Sequence, residues 1–166
     1  MSVSVSQVSQ LTVTEILPNN TYSASSSKRT VTHDQFNPSR TLDATTTPNA
    51  TEVAAFQAVL SSGALTLDLT ALVTTNGKTL DASALKLRQI LIVNPGSNDI
   101  TIKTGASNGY AASSKPFHAN GQIVPAGGDL LLFFNAGTPA VSGSVKTLDL
   151  AGTGTDFAYI EMVFGT

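Results

Sequence analysis

From Thr51 onward, apolar and polar residues alternate in short runs, and each run ends in Gly, Asn or Pro. Successive side chains of a strand leave opposite faces of a sheet, so alternation of period two marks strands that bury one face. The breaks carry turn chemistry: Asn76-Gly77, Asn94-Pro95-Gly96 and Ala126-Gly127-Gly128 combine residues that accept positive φ or cannot donate to a ladder. A chain written this way folds as β-structure.

The first run, EVAAFQAVL, places Phe56, Ala58 and Leu60 on one face; after the SSG break, ALTLDLTAL turns Leu65, Leu67 and Leu69 inward and Thr66, Asp68 and Thr70 outward. The two read as a hairpin. Helical spacing of Val53, Phe56 and Leu60 makes a helix over residues 52–60 the rival assignment. In ALKLRQILIV, Leu85 and Leu87 alternate with Lys86 and Arg88 before the run becomes apolar on both faces from Ile90 to Val93, as in a strand covered on both sides. DITIKTG, QIVPAGGDLLLFF, SVKTLDLAGTG and FAYIEMVFGT supply the remaining strands. The last puts Ala158, Ile160, Met162 and Phe164 on one face and Phe157, Tyr159, Glu161 and Val163 on the other.

Some eight short strands with Gly and Pro turns, and no helix, predict an all-β fold: a single antiparallel β-sandwich, jelly-roll-like, with an immunoglobulin-like topology as the alternative. Each inward Leu, Ile, Val or Phe contributes roughly 1.5–3 kcal/mol on burial, enough in sum for one sandwich core. A chain of 166 residues is of single-domain size.

Residues 1–50 differ from the body. They are rich in Ser, Thr and Asn, hold Pro18, Pro38 and Pro48, and carry too little apolar area to offset their own ordering entropy. Within them, Val3, Val5, Val8, Leu11, Val13 and Ile16 alternate with polar residues, as in a strand that lacks a sheet of its own. The organisation expected is therefore an extended N-terminal arm over 1–50, which orders by strand addition to neighbouring subunits, and a sandwich domain over 51–166. Folding back of the arm as edge strands on its own body is the alternative.

Charged residues are 12% of the chain and the net charge is -2, which lacks the basic footprint that phosphate neutralisation needs, so nucleic acid is not an expected partner. No run approaches the ~20 apolar residues that span a bilayer, and the N-terminus lacks the basic and apolar regions of a secretory signal. The expectation is a soluble protein made in the cytoplasm, with no membrane partner. There is no cysteine, hence neither a disulfide framework nor thiolate metal sites. Asn19-Asn20-Thr21 and Asn49-Ala50-Thr51 match the glycosylation acceptor pattern, which arises readily by chance in such Ser/Thr-rich sequence.

Chemistry-bearing motifs are sparse. His33 and His118 are far apart in sequence and stand in no ligand spacing. GTGTD and AGGD lie between strands, without a following helix to bind phosphate. Asp68 and Asp149 each occupy an LDL strand, facing away from the leucines, and nothing in the sequence pairs carboxylates. No catalytic, metal or cofactor site is expected, and the chain is not expected to be an enzyme. The long polar loop ASNGYAASSKPFHANG carries Tyr110, Phe117 and His118 as its large side chains; with Asn108 these form the expected surface-contact loop.

The run from Thr41 to Ile92 (TLDATTTPNATEVAAFQAVLSSGALTLDLTALVTTNGKTLDASALKLRQILI), with the closing KTLDLAGTGTDFAYIEMVFGT, resembles small structural proteins of bacteriophage virions, of the capsid decoration or head-fibre type. The likeness covers most of residues 41–166 and carries no functional residue. It implies a virion protein. The function expected is then structural: a sandwich that decorates or reinforces the capsid or forms part of a head or tail appendage. Its partners would be copies of itself, with a homotrimer as the first expectation, and the major capsid or another virion protein. A carbohydrate- or receptor-binding module is one alternative, with Tyr110 as its stacking residue. A subunit of an extracellular filament using donor-strand exchange is another.

Overall fold

The computed structural model describes residues 4–8, 13–17, 29–33, 39–74, 76–110, 117, 120–134 and 138–166. In chain order the strands are β1 (Ser4–Val8), β2 (Val13–Leu17), β3 (Arg29–His33), β4 (Ser39–Asp43), β5 (Glu52–Val59), β6 (Ala64–Asp68), β7 (Leu72–Val73), β8 (Thr79–Leu80), β9 (Lys86–Val93), β10 (Ile100–Thr104), β11 (Gln122–Val124), β12 (Asp129–Phe133), β13 (Thr147–Ala151) and β14 (Phe157–Gly165). No helix occurs among the described residues, and Glu52–Val59 is strand, so the rival helix over 52–60 is not formed. The chain divides into two compact units, one from Leu42 to Thr166 and one from Val5 to Thr41.

The larger unit is an antiparallel sandwich. One sheet has the order β11, β10, β13, β6 and the other β12, β9, β14, β5. Ranked first to eighth along the chain, these strands fall into sheets ordered one-eight-three-six and two-seven-four-five, the arrangement of a jelly roll. The last strand therefore runs between the first and the third, and β14 is paired on both sides: with β5 from Phe157↔Val59 to Phe164↔Glu52, and with β9 from Tyr159↔Val93 to Gly165↔Lys86.

The expected hairpin of β5 and β6 is instead a corner. β5 pairs with β14 and β6 with β13, so the chain changes sheets at Ser61-Ser62-Gly63. Both strands kept the inward faces read from sequence, with Ala58, Leu60, Leu67 and Leu69 buried. Alternation fixes which side chains go inward but not which strand lies alongside. Gly63 makes the corner: it has φ +80°, and a Cβ there would stand 2.6 Å from the Gly152 carbonyl oxygen.

The core lies between the sheets. From one side come Ala54, Ala58, Ile90, Ile92, Ala158, Ile160, Met162 and Phe164, and from the other Leu67, Ile100, Ile102, Val124, Leu148 and Leu150. Asn94 is fully buried where β9 ends. Its Nδ2 donates to the Asn98, Val124 and Pro125 carbonyls at 2.9–3.1 Å, and its Oδ1 accepts from Gly96 N–H at 3.1 Å. A side chain thus does the bonding that Pro95 cannot supply, and ties the exit of one sheet to the entry of the other.

In the N-terminal segment, β1 pairs with β4, and β2 pairs antiparallel with β3, each pair as a two-stranded sheet of its own.

Candidate interaction surface

Of the arm residues named from sequence, Val5 and Val8 lie in β1 and Val13 and Ile16 in β2, within ribbons built from the same chain; Val3 and Leu11 lie outside the described residues. The expected contact loop is corrected in its aromatic members. Tyr110 and Phe117 are core residues, exposed 0% and 4%. The Tyr110 hydroxyl accepts from Leu87 N–H at 3.0 Å and donates to the Pro139 carbonyl at 2.8 Å, which exempts the ring from staying at the surface. Phe117 packs edge-to-face on Phe134, with centroids 6.1 Å apart. Asn108 is exposed and takes φ +53°, while its carbonyl accepts from the N–H groups of Lys146 and Thr147. His118 lies outside the described residues.

The carboxylates serve the fold. Asp68 forms an ion pair with Lys146 at 2.5 Å and accepts from the backbone and hydroxyl of Thr70. Partial burial pushes its pKa up, and these bonds outweigh that and leave it lowered. Asp43 and Asp81 cap their own turns, held below the usual carboxylate range by hydrogen bonds from Thr45 and Ser83 respectively. Asp149 accepts from the Thr66 hydroxyl across the β13, β6 ladder and from Ala106 N–H. No cluster of three or more metal-ligating side chains exists among the described residues.

One polar recess of about 320 Å³ is lined by Thr46, Thr47, Pro48, Asn49, Lys86, Arg88 and Thr166. It arises from a bulge. The β14, β9 register slips between Val163↔Gln89 and Phe164↔Leu87, leaving Arg88 as the extra residue, and its guanidinium donates to the Thr166 carbonyl. That cation fastens the end of β14.

The outer face of the β12, β9, β14, β5 sheet is different in kind. The cross-strand row Gln57, Tyr159, Val93, Asp129 and the next row Ala55, Glu161, Leu91, Leu131 place apolar residues side by side on the face away from the core. Tyr159 is 51% exposed, Val59 50% and Leu131 36%, whereas Val163 at the far end of the same face is fully buried; the open area is therefore confined to the Tyr159 end. A shallow apolar depression of about 200 Å³ lies there, lined by Ala55, Phe56, Leu91, Val93, Tyr159, Ile160 and Glu161. Phe157 stacks edge-on against Tyr159 at 5.5 Å and stiffens its rim. The apolar stretch from Ile90 to Val93, read from sequence as covered on both sides, is covered by the core on the Ile90 and Ile92 side and half-open on the Leu91 and Val93 side.

Beside this face runs the edge of β5, eight residues long, which among the described residues pairs with β14 alone. Its sole charge is Glu52 at the start, and it has no Pro or Lys, the residues that ordinarily protect an edge. The other edges are shorter: β11 has three residues, and β6 and β12 have five, each with an Asp.

The structure thus defines an all-β protein of the jelly-roll class, with an apolar sheet face and an open edge as its prominent surface features. No protein-family model, curated protein or solved structure matches the chain.

Proposed function

We propose that this chain is a non-enzymatic structural protein that works by assembly, with copies of itself and with a shell-forming protein of a phage virion. The observation that carries the assembly reading is the apolar outer face around Tyr159, Leu91 and Leu131, set next to a long strand edge whose sole charge is Glu52 at its start. Contiguous apolar surface of this kind on a soluble chain marks an interaction site. Asp43, Asp68, Asp81 and Asp149 are engaged in turns, a ladder contact and an ion pair, which fits a role without catalysis. The virion setting rests on the sequence resemblance, and the trimer is the arrangement expected from sequence. The carbohydrate reading is weakened, because Tyr110, its stacking residue, is buried.

The test is the mass of the full-length chain by light scattering over a wide concentration range, beside the double variant Tyr159→Ser, Leu131→Ser. Association that weakens in the variant supports the proposal. A wild-type chain that stays monomeric throughout refutes self-assembly.

A further inference from the structure

The edge of β5 has a sequence property that its neighbours lack. Val53-Ala54-Ala55-Phe56-Gln57-Ala58-Val59 reads nearly the same in both directions about Phe56. Laid antiparallel against its own copy with Phe56 on the axis, the strand matches Val53 with Val59, Ala54 with Ala58 and Phe56 with itself; only Ala55 and Gln57 meet an unlike residue. Self-complementarity of this kind is what a two-fold contact requires.

The backbone agrees. Leu60 N–H donates to the Asp156 carbonyl at 2.8 Å, one step beyond the Val59↔Phe157 pair, so the even-numbered residues of β5 bond to β14. By alternation, Val53, Ala55, Gln57 and Val59 turn their N–H and C=O groups to the open edge. In the Phe56-centred register these same residues face one another, Val53 to Val59 and Ala55 to Gln57, each pair able to exchange both hydrogen bonds. Registers displaced by one residue break this parity, and those displaced by two, centred on Ala55 or Gln57, keep it but leave an end of the strand unpaired and lose the side-chain match.

Charge and size fit the same occupant. Glu52, the strand's only charge, falls opposite the partner's Leu60, so no like charges meet. Ala54, Ala55 and Ala58 leave room for close approach. The β7 and β8 hairpin shares no backbone hydrogen bond with β5 among the described residues. Pairing would run the β12, β9, β14, β5 sheet on into its copy, carrying the apolar outer face across the axis.

From these observations we infer that β5 is a homotypic docking edge, at which two copies of this chain pair antiparallel about Phe56 into one continuous sheet. The inference rests on the assembly reading and names the partner and the register for it. An isologous pair links two copies whatever the symmetry of a larger assembly.

The experiment uses the full-length chain and two readouts. Gln57 is exposed and its N–H points to the open edge, so Gln57→Lys and Gln57→Pro oppose pairing while sparing the β14 ladder. Light scattering should show the wild-type dimer dissociating, with at least a tenfold weaker Kd in either variant and an unchanged β-sheet circular dichroism spectrum. The second readout exploits a chain without cysteine: an equimolar mixture of Ala55→Cys and Gln57→Cys chains should oxidise to a cross-linked dimer faster than either chain alone, because directly opposed Cα atoms of such a pair stand ~5.5 Å apart, within disulfide range. No excess cross-linking in a mixture of folded cysteine variants overturns the inference, even if the Gln57→Lys and Gln57→Pro chains fail to fold. Association unaffected by Gln57→Lys but broken by Tyr159→Ser with Leu131→Ser overturns the β5 contact and leaves the assembly reading standing. A wild-type chain that is monomeric at every concentration overturns both.

Discussion

The backbone N–H of Leu87 donates to the hydroxyl of Tyr110, 23 residues on, at 3.0 Å, and that hydroxyl in turn donates a hydrogen bond to the Pro139 carbonyl at 2.8 Å. One side chain thereby satisfies polar groups from two segments that also meet at the isolated Lys86↔Ala140 bridge. Tyr110→Phe keeps the ring and orphans both groups. The expected loss is about 1–3 kcal/mol, read as a fall in Tm of several degrees by calorimetry. An unchanged Tm would show that water replaces the hydroxyl.

Asn94 is the second such staple. Asn94→Ala removes donors to three carbonyls and an acceptor for Gly96 N–H, and should cost about 2–4 kcal/mol in urea unfolding. Asn94→Asp should be worse near neutral pH, since a carboxylate oxygen would face those same carbonyls, and should partly recover in acid. If the Asp variant matches wild type at pH 7, the amide does not hold this junction.

Two glycines with similar φ should respond differently to alanine. At Gly63 a Cβ meets the Gly152 carbonyl at 2.6 Å, whereas at Gly77 it meets nothing within 4 Å. Both substitutions carry the left-handed penalty of about 1 kcal/mol, and Gly63→Ala should exceed Gly77→Ala by a further ~1 kcal/mol or more. Equal Tm values for the two would mean that the corner relaxes.

Stability should fall at both ends of the pH scale. Asp43, Asp68 and Asp81 have pKa values below 3.8 in the folded chain, so the unfolded chain binds protons first as pH drops. Their stabilisation is present above the ordinary carboxylate range and is lost as pH falls through the lowered values. Tyr110 shows the opposite case: burial raises its pKa above 10.0, so the unfolded chain ionises first, and this contribution is present below pH 10 and lost above it. Denaturant midpoints between pH 2 and 11 should trace a plateau with two falling limbs. With Tyr110→Phe the alkaline limb should move or flatten while the acid limb stays.

Alternation alone determined the fold class and most inward faces. Ala158, Ile160, Met162 and Phe164 point to the core as their spacing required, because strand geometry sends every second side chain the same way. The near-palindrome around Phe56 acquires meaning only once the structure places that strand at the end of its sheet. The pairing of strands was decided elsewhere. β5 and β6 look like a hairpin because they are consecutive, yet each finds a long-range partner in a different sheet, since burying both faces of the core needs two layers. Tyr110, Phe117 and Asn94 read as loop or turn residues because their neighbours are polar. Their burial follows from hydrogen-bond and packing partners such as Leu87, Pro139, Phe134 and Val124, which tertiary structure alone brings near. The outer face around Tyr159 was legible only as strand alternation; which end of it is open was decided by tertiary structure, which leaves Tyr159 half-exposed and buries Val163 on the same face.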